Sequence, residues 1–309
     1  MSPLILRGGL GNQLFQFAAA LSIFEGEVSI WTQVGQPRTT NGEVDLAFFT
    51  LPSNVSIEPG SSNRFIQKLL SWNLVNGLNG ENSKVHQALA RTSSLLGDVY
   101  FSILNRTWTK LIPGKGVGFF VLKKVNCRLI LNGYFQSYIW PQQEHIYEEL
   151  HNLRIKSPSQ SLLGWIKIIN VTKPIIIHVR LGDYRNEEGI GVLKPNYFYR
   201  ALSDPRLKVA SKNVWIFTDE PFSININEYV PRGYKARIFD DLSLSPSETL
   251  ELMRHGSAYV ISNSTFSWWA AYLSYTRECP RFTPTPWFKS ARSPLHITPP
   301  EWNEIDEPF

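Results

Sequence analysis

Cysteine is nearly absent from this chain of 309 residues, with Cys127 and Cys279 the only two. Two cannot build a disulfide framework or a four-ligand zinc site, so a reducing compartment is the simpler expectation. No stretch reaches the roughly 18 apolar residues needed to span a bilayer. "SPLIL" at the start is too short for a signal-peptide core and runs into Arg7 and Gly8. The sequons at Asn54 and Asn263 therefore carry no weight, and the expected location is cytoplasmic, with peripheral membrane contact left open. No Lys/Arg-rich tract of the kind that marks nucleic-acid binding is present, so no nucleic-acid partner is expected. The P-loop pattern, the complete G-x-G-x-x-G fingerprint, the G-x-S-x-G elbow and any His/Cys cluster of metal-ligand spacing are all missing. So is Asp-x-Asp, a common means of holding a divalent cation on a diphosphate. No metal site is expected.

What remains is the composition of a globular protein, 43% hydrophobic and 18% charged, long enough for two domains of ordinary size. The net charge of +5 suits an anionic ligand or an acidic lipid surface, or is simply a mildly basic exterior. Aromatic residues make up 13%, with ten Trp. They either fill cores or offer stacking faces, and a count does not decide between the two.

Along the chain, "PLILR" (3–7) reads as a buried strand, "GGLGN" as a turn, and 13–24 as an amphipathic helix. Leu14, Phe17, Ala18, Leu21 and Phe24 mark its apolar face, Gln13 and Gln16 another face, and Asn12 the N-cap. "VSIW" (28–31) is the next strand. Residues 35–62 are turn-rich, and a helical insert is expected at about 60–125. A strand near 128–132, a helix at 145–155 and a linker at "KSPSQS" (156–161) follow. Beyond it, apolar runs at 174–179, 214–218 and 258–262 read as strands covered on both faces. Helices are expected at 196–204 and 247–255, the latter starting near Pro246 and Ser247. The expected organisation is two α/β domains with parallel sheets, 1–160 and 161–309.

Polar residues crowd the carboxyl ends of these strands, where open parallel sheets bind ligands. They are Gly8–Asn12 after the first strand, His178, Arg180 and Asp183 in "HVRLGDY", Thr218, Asp219 and Glu220, and Ser262–Thr265. Arginine matches phosphate oxygens with a planar fork of donors, and a Ser/Thr-rich helix start is a ready anion site. Each charge-assisted bond is worth roughly 1.5–3 kcal/mol. Taken singly, Arg180 and Asp183 could be a structural ion pair, His178 a satisfied core histidine, and Ser264 and Thr265 a helix cap. Their coincidence points to a negatively charged ligand.

"GGLGNQLFQFA" (8–18), "GYFQSY" (133–138), "HVRLGDY" (178–184), "FTDE" (217–220), "LELM" (250–253) and "ISNSTFSWWAAYL" (261–273) together resemble the α-1,2-fucosyltransferase family, glycosyltransferase family 11. The resemblance implies a GT-B-like fold, two Rossmann-type domains facing across a cleft, with the second domain holding the donor GDP-fucose and the first on the acceptor side. It implies an inverting, metal-independent transfer of L-fucose to the 2-hydroxyl of a terminal galactose, with no cofactor beyond the donor substrate. In residue terms it implies donor contacts from Gly9, Gly11, Asn12, His178, Arg180, Asp219, Glu251, Ser264, Thr265, Phe266 and Ser267. Catalytic positions would be Arg180 and His178, with Asp183, Glu187 or Glu188 as a general base. One departure is plain: the family usually has a second arginine where this chain has Leu181. Linkage and acceptor are not carried by these motifs, and a fucosyltransferase of another linkage or acceptor, or a non-catalytic glycan- or nucleotide-sugar-binding protein, remain the rivals.

Overall fold

The computed structural model describes residues 2–35, 37–60, 64–73, 84–113, 118–119, 122, 126–291, 293–306 and 308–309. The chain divides into two compact units, Met1–Leu153 with Pro294–Ile297, and Arg154–Ser293 with Thr298–Phe309.

The first unit opens with strand β1 (Ser2–Ile5), helix α1 (Leu10–Ile23) and strand β2 (Val28–Trp31). A small hairpin, β3 (Thr39–Thr40) with β4 (Glu43–Val44), precedes β5 (Val55–Glu58). Two helices, α2 (Arg64–Asn73) and α3 (Lys84–Asn105), lead to β6 (Thr109–Pro113), β7 (Arg128–Asn132) and α4 (Glu144–His151). The main sheet runs β5-β2-β1-β7-β6, all parallel. The chain builds outward from β1 to β5, then crosses to the far edge as β6 and comes back beside β1 as β7. The switch point therefore lies between the carboxyl ends of β1 and β7.

Helix α1 departs from the expected amphipathic pattern. Leu14, Phe15, Phe17, Ala18 and also Gln13 and Gln16 are wholly buried. A helix apolar nearly all round must be covered all round, and its two polar side chains must find partners inside. The N-cap is Gly9 rather than Asn12, which sits within the first turn.

The second unit begins with α5 (Gln160–Thr172), β8 (Ile175–Val179), α6 (Pro195–Ser203), α7 (Pro205–Ala210) and β9 (Asn213–Thr218). It continues with α8 (Ile226–Tyr229), β10 (Lys235–Ile238), α9 (Pro246–Met253), β11 (Ala258–Val260), α10 (Thr265–Tyr272), β12 (Arg281–Thr285) and β13 (Asn303–Asp306). Its six strands lie in the order β10-β9-β8-β11-β12-β13, all parallel. Renumbered within the unit, this is 3-2-1-4-5-6, the Rossmann order, with its switch point between β8 and β11. All five β8 side chains are buried, as a central strand covered on both faces requires.

Local chemistry sets the helix ends. Ser159 caps α5, accepting from Leu162 N, and Lys173 closes it in the left-handed region at φ 43°. Ser245, one residue before the expected start, caps α9 in a full capping box with Glu248. The second Glu248 oxygen accepts Ser159 N at 2.8 Å and ties the two helix starts together. Most Trp side chains are core: Trp31, Trp140, Trp215, Trp268, Trp269, Trp287 and Trp302 are all buried. Replacing Ser245 with Ala should lower the unfolding free energy by about 1 kcal/mol in denaturant titration, with an unchanged m-value.

Candidate active site

At the switch point of the second sheet, β8 delivers His178 and then Arg180, and β11 delivers Ser262–Ser264 into the start of α10. The neighbouring β9 delivers Asp219. These are adjacent parallel strands, so their carboxyl ends converge by construction.

Arg180 is held by two carboxylates. Its Nη2 lies 2.8 Å from Asp183 Oδ1 and its Nη1 3.1 Å from Asp219 Oδ2. Nε donates to Asp183 at 3.0 Å, and the guanidinium lies 5.6 Å from the Tyr184 ring centroid. Asp219 Oδ1 also accepts Leu181 N at 3.0 Å. The carboxylate presses so closely on the backbone that a Cβ at Gly182 would lie 2.6 Å from Asp219 Oδ2. Glycine is thus required there for the carboxylate to reach both of its partners. Beside this group, Arg185 pairs with Glu220 at 2.6 Å. Leu181, in place of a second arginine, is 5% exposed and belongs to the core cluster with Ile177, Val179 and Leu193. Of the two adjacent positions, only Arg180 is directed to the crevice end.

His178 is buried, its Nδ1 2.8 Å from Ser262 Oγ and its ring 5.8 Å from that of Phe266. Burial first, and the charge of Arg180 second, push its pKa down to about 3. The imidazole is neutral across the physiological range and joins the ends of β8 and β11. Tyr184, the last residue of the "HVRLGDY" stretch, makes a second such tie: its hydroxyl donates to Asn263 O at 3.3 Å. Burial raises its pKa to about 12 despite the opposing charge of Arg180.

Ser264 caps α10, accepting from Phe266 N at 3.4 Å, and its carbonyl accepts the Ser267 hydroxyl at 3.1 Å. Thr265 and Phe266, the first helical residues, are half-buried. Capping and anion binding use the same end of the helix, and the remaining N–H groups of the first turn still carry its positive dipole. Asn263 is turned away from the helix. Its Nδ2 donates to Ile190 O and Gly191 O, while Ala291 N donates to Gly189 O. The segment carrying Glu187 and Glu188 is therefore fastened along its backbone, with both carboxylates exposed.

Glu251 is not brought to this group. It lies in the last turn of α9, buried, with Oε2 on Arg254 Nη1 at 2.8 Å and Oε1 accepting the Tyr275 hydroxyl at 2.6 Å. The adjacent His255 contacts Asn170, near the end of the helix that feeds β8. That cluster therefore sits at the amino ends of the strands, and both of its oxygens are engaged in the core.

The first unit carries a separate polar turn after β1. Gly8 is left-handed at φ 67°, and a Cβ there would lie 2.6 Å from Asn12 Nδ2. Gly9 and Gly11 follow within the N-cap and first turn of α1. The two buried glutamines hold this turn in place. Gln16 accepts Arg7 N at 2.8 Å and donates to Arg7 O at 3.0 Å. Gln13 donates to Gly8 O and Arg38 O and accepts Leu46 N. Across the switch point, Arg7 Nε donates to Asn132 Oδ1 at 2.9 Å, and Gln136 Nε2 donates to Asn12 Oδ1 at 3.0 Å. Periodicity could not reveal Gln13, Gln16 or Gln136 as turn supports. For Gln13 and Gln16 the signal is a polar side chain at a position where the helix has no exposed face.

No group of three His, Cys, Asp or Glu able to hold a metal occurs among the described residues, and no described helix is long and apolar enough to cross a membrane.

The sheets and the polar switch point of the second unit define a class, a two-unit α/β protein of Rossmann type. Within it, the chain belongs to glycosyl transferase family 11, whose profile matches residues 114–306. It is similar to an alpha-1,2-colitosyltransferase of Escherichia coli, 23% identical over 324 residues that cover 98% of each chain. Among solved structures it is similar to the NodZ alpha-1,6-fucosyltransferase co-crystallised with GDP, at 12% identity and a TM-score of 0.46 over 87% of this chain and 90% of that one. NodZ comes from Bradyrhizobium. A further likeness is to POFUT1 in complex with GDP, at 12% identity and a TM-score of 0.43 over 91% and 97%. The chain is thus a fucosyltransferase-like glycosyltransferase.

The state of His178 gives a test by pH. Its folded pKa, about 3, lies below the ordinary value of 6.5. The unfolded chain therefore binds the extra proton between these limits. The stability tied to neutral His178 is complete above about pH 6.5 and is lost as pH falls toward 3, at up to about 1.4 kcal/mol per pH unit. Urea titrations of wild type and His178→Asn across that window should show the shallower slope in the variant. Equal slopes would show that His178 is not buried neutral.

Proposed function

We propose that this protein is an inverting galactoside 2-α-L-fucosyltransferase, moving L-fucose from GDP-β-L-fucose to the 2-hydroxyl of a terminal galactose without a metal. The observation that carries the reading is that the strand ends leading to Arg180 and to the start of α10 are adjacent at the switch point of a Rossmann sheet, in a chain of this family. The proposed donor contacts in this unit are His178, Arg180, Asp219 and Ser264–Ser267. Gly9, Gly11 and Asn12 are proposed as donor contacts from the first unit.

The acceptor oxygen forms a bond to the anomeric carbon of fucose. The bond from that carbon to the β-phosphate oxygen breaks, and GDP leaves with the electron pair. Negative charge grows on the diphosphate as the transition state forms, and Arg180 and the α10 N–H groups stabilise it there. Asp183 and Asp219 engage three of the five N–H groups of Arg180, so the diphosphate can take the other two, and a full bidentate grip requires one carboxylate to yield. Asp183 is the more exposed, at 43% against 23% for Asp219, and an exposed ion pair is worth only about 0–1 kcal/mol. Asp219 has its second oxygen on Leu181 N and stays, holding the arginine in place. The displaced Asp183 becomes a candidate to receive the acceptor proton, alongside Glu187 and Glu188 on their fastened segment. Ser262 sets the ring of His178, which serves as a neutral positioning group rather than a base.

A second reading, in which the moved sugar is colitose, is favoured by the Escherichia coli relative. The test is GDP release at neutral pH in excess EDTA, with and without a β-galactoside, and NMR of the product. Galactoside-stimulated release and an α-1,2-linked fucose are expected. A higher kcat/KM with a colitose donor would transfer the reading to that sugar, and absence of turnover and of GDP-fucose binding would overturn it. Arg180→Ala should lose at least ~100-fold in kcat/KM while remaining folded.

A further inference from the structure

Helix α3 is built inside out at its surface. Ser93, Gly97 and Phe101 face inward, and Gly97 packs so closely that a Cβ would lie 2.9 Å from Leu111 Cδ2 on β6. The opposite face should be polar in a helix that ends at water. Instead it carries Leu95 at 67% exposure, Leu96 at 49%, Val99 at 56% and Ile103 at 74%. At 100° per residue these four fall within about 100° of arc, one continuous stripe. Trp108, just beyond the helix, is 69% exposed.

The charge around this stripe is mainly positive. Residues 64–113 hold six Lys and Arg against two acidic residues, in a chain whose whole excess is +5. Arg91, Arg106 and Lys110 are exposed beside the stripe, and Arg64 and Lys68 are exposed on α2, which packs against α3. Asp98 is the sole acidic side chain among the described residues of this stretch. It is half-buried and accepts Leu111 N at 2.6 Å.

We propose that the outward face of α3, with Trp108 and the flanking basic residues, is a docking surface for an anionic lipid bilayer. An apolar helix face with a cationic surround seats in the plane of the interface, its apolar side about 5–10 Å into the headgroup boundary. Indole rings favour that depth. Each basic residue near an acidic surface strengthens partitioning about fivefold. A protein partner or a second copy would be served by the apolar stripe alone. The excess of basic over acidic residues in this stretch is what selects an acidic lipid surface. This inference is independent of the donor and acceptor assigned above.

The experiment is flotation of the whole protein with vesicles of phosphatidylcholine alone or mixed with phosphatidylglycerol. Wild type should partition at least about tenfold more strongly onto the mixed vesicles. The double variant Val99→Glu/Ile103→Glu should lose at least about tenfold in that partitioning. Arg106→Glu/Lys110→Glu should lose the preference for phosphatidylglycerol. All four sites are exposed, so circular dichroism and the unfolding midpoint should match wild type. Wild type that fails to float with either vesicle, or a Val99→Glu/Ile103→Glu protein that floats as well as wild type, would overturn the proposal. Sedimentation showing a wild-type dimer that the same variant dissociates, without vesicle binding, would assign the face to a second copy instead.

Discussion

The carboxylate of Asp219 is the contact on which the arrangement at the end of β8 depends. One oxygen fixes the backbone at Leu181 and the other fixes Arg180, and both are within reach because Gly182 has no side chain. Strand β9 thereby dictates where the chain leaving β8 turns and where its arginine points. The consequence reaches to Leu181. Once the backbone is pinned on both sides of it, its side chain has only the core to enter, and a leucine suits that environment. A second charged group at the crevice is replaced by apolar packing beneath it.

The first unit solves a similar problem differently. A glycine-rich turn is conformationally permissive, and left alone it would sample many shapes. Gln13 and Gln16 remove that freedom, because a buried amide that missed its partners would cost about 1–3 kcal/mol. The turn is therefore held by the penalty for leaving it. This also explains why α1 can be buried on every side without orphaned polar groups: its two amides serve the loop rather than solvent.

Much of this was legible in the chain. The β-branched runs at 174–179, 214–218 and 258–262 became β8, β9 and β11, and 28–31 became β2 with the expected bounds. Runs buried on both faces are nearly all apolar, which is a strong pattern. What escaped had weak or mixed patterns. Helix α5 contains Gly164 and a β-branched stretch that blurs the helical period, and β10 reads "KARI" at a sheet edge. His178, Arg180, Asp183, Asp219 and Ser264 stand out in the sequence because polar residues after an apolar strand are conspicuous, and they lie at adjacent strand ends. Glu251 was singled out by motif alone, and its burial with Arg254 depends on a helix end and a loop 24 residues apart, as its bond to Tyr275 shows. No local pattern reports that. The α1 N-cap slipped from Asn12 to Gly9 because cap preference favours Asn while the backbone needed the turn three residues earlier.

The basic balance of the chain invited the idea that its positive charge gathers where an anion binds. The structure distributes it otherwise. At the second switch point Arg180 faces Asp183 and Asp219, and Arg185 faces Glu220, so the group is not cationic overall. The surplus lies on residues 64–113. An anion at the switch point therefore gains less from long-range attraction than from short-range geometry: backbone N–H groups at a helix start and an arginine whose carboxylate partners can be exchanged. Long-range attraction falls with salt over about 8–10 Å, whereas aligned dipoles in a confined crevice are screened much less. On the two proposals made for this chain, the diffuse charge would serve an extended anionic surface and the directional donors a compact anionic ligand.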